Sequence, residues 1–113
     1  MRAMSAFGKA WVRVAEGAKR GEPIEIRAMI MHPMESGFRL DNVGRPFPRH
    51  IVSTFVCTYD GKQVFRATLH PAISANPYFV FSVIATQSAD LMFAWTDDRG
   101  GVATHSVRLE VAA

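Results

Sequence analysis

The chain has 113 residues, the size of one ordinary domain, which leaves no room for two independent hydrophobic cores. With 49% hydrophobic and 20% charged residues it is too apolar to be disordered, and its apolar runs are too short to cross a membrane as helices. The net charge of +3 comes from ten arginines and three lysines spread along the chain without a cluster, so a solvated exterior is expected rather than a nucleic-acid surface.

In chain order, the opening segment MRAMSAFGKAWVRV has neither a continuous apolar stretch nor a small-residue cleavage site, so no export signal is expected. Residues 1–10 read as a candidate disordered extension with no assigned role. A first strand is expected over Ala10 to Val14. After turn signals at Glu16-Gly17 and Gly21-Glu22-Pro23 comes a second, over Ile24 to Met31. Ile24, Ile26, Ala28 and Ile30 fall on one face of it and Glu25 and Arg27 on the other.

The connection His32 to His50 is long and contains three prolines and two glycines. Loops of that length are more often functional than idle. With mixed charges and the apolar anchors Met34, Phe38, Leu40 and Phe47 it reads as a structured docking loop, or as a hairpin excursion without a partner. Strands over Ile51 to Tyr59 and Lys62 to Leu69 flank Asp60-Gly61, a two-residue hairpin signal. His70 to Tyr78 carries two prolines that interrupt ladder hydrogen bonding. It is either a crossover or a segment presenting Ser74 and Asn76 outward. Strands over Tyr78 to Ala85, Leu91 to Thr96 and Val102 to Val111 complete the set. About seven short strands in this length predict an all-β fold, an immunoglobulin-like β-sandwich, as a single domain.

Several outward rows are less polar than a monomer requires. Met29, Met31, Val52, Val56, Tyr78, Val80, Ile84 and Met92 fall on them, which suggests a partner surface. The alternative is that a bulge shifts the face and some of these residues belong to the core.

Chemistry-bearing groups are sparse. Cys57 is the single cysteine, which excludes an internal disulfide and any cluster of cysteine ligands. Alternation puts it beside Phe55 on an inward row, as a small buried hydrophobe and not a nucleophile. The histidines at 32, 50, 70 and 105 show no short metal-binding spacing, so no metal and no cofactor is expected, although remote residues can converge in space. Asp97 and Asp98 precede Arg99-Gly100-Gly101 and read as turn formers. These features describe a binding or assembly module and not an enzyme.

Four separated blocks, HPMESG (32–37), PRHI (48–51), ISANPYF (73–79) and WTDDRG (95–100), resemble the SoxZ family in order and composition, over about Arg13 to Val111. The resemblance implies an immunoglobulin-like, non-catalytic subunit in periplasmic oxidation of thiosulfate and related reduced sulfur compounds. Its partner would be SoxY, which carries the substrate on a cysteine near the end of a glycine-rich C-terminal arm. The tail VRLEVAA has neither glycine nor cysteine, which fits the Z subunit, and the bare N-terminus is what export alongside a signal-bearing partner implies. The expected partner-binding residues are Met29, Met31, Met34, Glu35 and Phe38, with Arg49, Ile73, Ser74, Asn76 and Tyr78. Other sulfur-oxidation enzymes would dock transiently. Two rival readings are an autonomous, self-associating immunoglobulin-like binding module and a thiol enzyme using Cys57.

Overall fold

The computed structural model describes residues 8–73 and 75–112. Among them are seven strands: β1 Ala10–Val14, β2 Pro23–Ile30, β3 Val52–Tyr59, β4 Lys62–Thr68, β5 Tyr78–Ile84, β6 Ala89–Asp97 and β7 Val102–Leu109. They form two antiparallel sheets, one ordered β1-β2-β5 and the other β4-β3-β6-β7. The expected all-β, immunoglobulin-like sandwich of seven strands is the observed architecture.

Alternating residues supply the core. Ile24, Ile26, Ala28 and Ile30 of β2 face Phe55 and Cys57 of β3 and Leu91, Phe93 and Trp95 of β6, and all of these are buried. Aromatic rings join the two layers: Phe55 stacks on Phe79 of β5 at 4.6 Å between centroids, and Phe65 of β4 stacks on Phe81 of β5 at 4.2 Å. Offset ring pairs of this kind add roughly 0.5–1.5 kcal/mol each beyond their buried area. A tyrosine fastens one end of the core. Tyr59 Oη accepts the backbone N–H groups of Thr86 and Gln87 at 3.1 and 3.0 Å and donates to the Gln87 carbonyl.

The turn chemistry follows the sequence. Asp60 and Gly61 both adopt positive φ, 51° and 76°, between β3 and β4, the conformation that a tight hairpin turn demands. One face assignment differs from expectation. Val52 is fully buried, not on the outer row, because the β3–β6 register shifts between Val52 and Thr54 and turns the strand's entry inward. Met31, Tyr78, Val80, Ile84 and Met92 are exposed as expected, while Met29 and Val56 are half-buried.

Residues 32–50 form a pinned excursion. Glu35 and His50 exchange both backbone hydrogen bonds at 2.8 Å, and further in Phe47 donates to Arg39 and Asp41 to Arg45, each at 2.8 Å. Because β3 runs antiparallel to β6, the start of β3 meets the end of β6. His50, just before β3, therefore lies beside Asp97, the last residue of β6.

Candidate metal centre

Three residues from separate stretches converge where β2 and β6 end and β3 begins: His32, His50 and Asp97, with one potential donor atom each, all within 4.8 Å of one another. His32 follows β2 and is 2% exposed. Its backbone is fixed by Asn76, whose Oδ1 accepts the His32 N–H at 3.0 Å while the Asn76 N–H donates to the His32 carbonyl at 2.9 Å. Its ring is fixed by the Met34 N–H, which donates to Nδ1 at 3.0 Å. Met34 reaches that position through a left-handed φ of 52°, a conformation that non-glycine residues adopt only where the surroundings enforce it.

Asp97 is 5% exposed and is held by the turn that follows it. Its Oδ1 accepts N–H bonds from Arg99 at 2.9 Å and Gly101 at 2.6 Å, and its Oδ2 lies 2.8 Å from His50 Nε2. A Cβ at residue 101 would come within 2.6 Å of Asp97 Oδ2, so the close approach needs glycine there. Asp98 ties the next layer together: its Oδ1 accepts the Ile51 N–H at 3.1 Å, and its Oδ2 pairs with Arg49 Nε at 2.9 Å. The Arg99 guanidinium donates to the Arg49 carbonyl at 3.0 Å. The rings of His32 and His50 meet edge to face, with centroids 5.0 Å apart.

Electrostatics set the charge states of His32 and Asp97. Burial, reinforced by the nearby His50, lowers the pKa of His32 against the opposing pull of Asp97 and Asp98, so its imidazole is neutral at pH 7. Burial alone would raise the Asp97 carboxyl, but the His50 bond and the Gly101 and Arg99 N–H groups outweigh it and hold the group below its ordinary range. Two imidazoles and one carboxylate form a donor set that takes a divalent transition metal and leaves coordination positions open.

The other sequence-derived candidates are scattered around this cluster. Met34 is buried, its sulfur accepting the Val52 N–H at 3.2 Å. Glu35 pairs with Arg39 through Nε at 3.1 Å, Arg49 with Asp98, and Asn76 holds His32. Phe38, Ile73, Met31 and Tyr78 are exposed, and Met29 is half-buried beside Tyr78 on the outer face of the three-stranded sheet. Ser74 lies outside the described residues. Cys57 is fully buried in mid-β3 between Phe65 and Phe93, and burial raises its thiol to about 12. No thiolate chemistry is available there.

Comparison with known proteins adds three findings. The model of the family described as "Sulphur oxidation protein SoxZ" matches residues 12–108. No curated protein matches the chain. Among solved structures, one form of a superoxide reductase (neelaredoxin) from Ignicoccus hospitalis superposes with a TM-score of 0.71 at 12% identity, covering 96% of this chain and 83% of that one. A second form of the same reductase gives 0.67 at 14% identity with 95% and 82% covered. The hypothetical protein PH1083 from Pyrococcus horikoshii OT3 gives 0.63 at 14% identity with 93% and 90% covered. At these identities the likeness shows a shared fold.

These findings correct the functional reading drawn from the sequence. The expectation of a non-enzyme, drawn from sparse chemistry-bearing groups and from the family resemblance, is corrected by the His32–His50–Asp97 cluster in a fold that chains named as reductases share. The expectation of a module without chemistry-capable groups fails at the His32–His50–Asp97 cluster. The carrier-subunit role, the SoxY-type partner and the sulfur-carrier description built on them are corrected by the same two findings. The alternative of a self-associating binding module without chemistry is corrected at the same cluster, which does not bear on self-association itself.

Proposed function

We propose that this chain, which belongs to the family of Sulphur oxidation protein SoxZ, holds a divalent transition metal at His32, His50 and Asp97 and uses it for oxidation–reduction of a small substrate. The observation that carries the reading is the convergence of two imidazoles and a carboxylate at one end of the sandwich. A two-histidine, one-carboxylate set suits ferrous iron, with zinc as the redox-silent competitor. The family's name and the name of the reductases that share the fold both denote redox chemistry, which favours iron. Bound there, the metal would supply electron exchange at its open positions.

The protein's own residues do the rest. The Asp97 turn holds the carboxylate in place, Asn76 and the Met34 N–H orient His32, and the pinned loop fixes His50 at the more accessible side of the cluster. His32, His50 and Asp97 would hold the metal through one donor atom each, and the proton in the His50 Nε2–Asp97 Oδ2 hydrogen bond would have to leave for both atoms to serve. Family membership also supports a periplasmic location, which cell fractionation would check.

A second reading is favoured by the Met34 N–H bond to His32 Nδ1, which leaves the ring's proton on Nε2 and opposes ligation through that atom. The three residues are then a buried polar clasp joining residues 32–50 to the β6–β7 turn. Anoxic calorimetric titration of the purified chain with ferrous iron and with zinc separates the two. The metal reading expects one-to-one binding, weakened at least 100-fold in His50→Ala, and iron-dependent consumption of superoxide with an electron donor. Absence of stoichiometric binding leaves the clasp. Binding without turnover retains the metal and removes the enzyme.

A further inference from the structure

Four strands lie at sheet edges: β1 and β5 in one sheet, β4 and β7 in the other. An exposed edge offers a row of unpaired N–H and C=O groups to any other strand, and folded proteins commonly guard it with charge. Three of the four edges are guarded. Arg13 lies on β1, Lys62 and Arg66 on β4, and Arg108 on β7. The fourth, β5, reads YFVFSVI and has no charge, no proline and no glycine. Its pairing with β2 runs through seven residue pairs without a register shift. Tyr78, Val80 and Ile84 are 48%, 50% and 54% exposed.

The backbone phase of β5 is readable from its ends. Ala85 exchanges bonds with Glu22 and Gly21, and the Pro77 carbonyl accepts from Ile30. Odd-numbered residues therefore point their backbone groups toward β2, and alternation turns those of Tyr78, Val80, Ser82 and Ile84 to the open edge. A second β5 laid antiparallel about a two-fold axis at Phe81 sets Val80 opposite Ser82 and Tyr78 opposite Ile84. All four outward-pointing residues then fall in hydrogen-bonded pairs, for about eight backbone bonds in total. The same register extends an existing apolar row. Trp11, Met29 and Tyr78 are already aligned across the outer face of β1, β2 and β5, and the partner's Ile84 becomes the fourth member.

We infer that β5 is a self-pairing edge, through which two copies of this chain join their three-stranded sheets into one continuous six-stranded sheet. The occupant is a second copy because the strand carries no charge to repel its own copy, and an antiparallel two-fold at Phe81 matches its backbone phase and its side-chain row together. The inference is independent of the metal centre, which lies outside β5.

Sedimentation of the full chain from 1 to 200 µM tests it. A monomer–dimer equilibrium is expected, weakened at least tenfold in Val80→Lys and in Ser82→Lys, with the fold checked by circular dichroism. Mixing Val80→Cys with Ser82→Cys chains under mild oxidant should give a disulfide-linked heterodimer, since hydrogen-bonded antiparallel partners lie within bridging distance. A chain that stays monomeric throughout overturns the proposal, as does a dimer indifferent to both lysines or one cross-linked no better in the mixture than through Lys62→Cys.

Discussion

At the scale of single residues, burial decides what each potentially reactive group can do. Cys57 is enclosed by aromatic neighbours, and its thiol is raised to about 12. In the native protein it should resist iodoacetamide at pH 8 and react fully only in denaturant. Cys57→Ala should fold, with a loss of about 1–2 kcal/mol in urea unfolding from the small cavity. Rapid native alkylation would contradict this. His32 is the opposite case, a buried group whose protonation is costly. Its folded pKa lies below the ordinary value of 6.5, so its contribution to stability is complete above that pH and declines as pH falls below it. Protonation would also end the bond that Nδ1 accepts from Met34. The thermal midpoint should therefore drop as pH falls below 6.5, and His32→Asn should flatten that dependence. An unchanged slope in the variant would remove His32 as its source.

At the scale of elements, the Asp97–Asp98 turn and the loop over residues 32–50 act as one clamp. Asp98 holds both the Ile51 N–H and the Arg49 guanidinium. Asp98→Ala should raise amide exchange at His50 and Ile51 at least tenfold and lower stability by about 1–3 kcal/mol, the usual result of orphaning bonds to a charged acceptor. Protection equal to that of the parent chain would show that the clamp is held elsewhere. The elements themselves were largely legible in the sequence. The alternation of Ile24, Ile26, Ala28 and Ile30 settles the face of β2, and Asp60-Gly61 announces its turn, because both are local consequences of pleat and φ. Val52 escaped because a register shift is set by pairing with β6, which no local pattern records. The His32–His50–Asp97 cluster escaped for a related reason. His50 and Asp97 are 47 positions apart, and His32 and His50 stand at opposite ends of a loop. Only the placement of both histidines at strand boundaries, beside an aspartate in a glycine-rich turn, hinted at their convergence.

At the scale of the whole molecule, two different strategies coexist. The sandwich is held by a self-contained aromatic and aliphatic core, while its end carries polar residues that the core does not require. Chains named as superoxide reductases share the same architecture at 12–14% identity, as expected when a fold is a scaffold onto which sites are grafted. Binding confined to the folded state raises stability in proportion to ligand excess, so saturating ferrous iron should raise the thermal midpoint of the parent chain and leave that of His50→Ala unmoved. Equal shifts in both would place the metal elsewhere. The most direct test is anomalous diffraction from crystals grown anoxically with ferrous iron and recorded on both sides of the iron edge. The account predicts a single peak at about 2.0–2.3 Å from His32, His50 and Asp97, with the His50–Asp97 hydrogen bond opened. An iron-loaded solution yielding no peak there, with His50 Nε2 still bonded to Asp97 Oδ2, would contradict it.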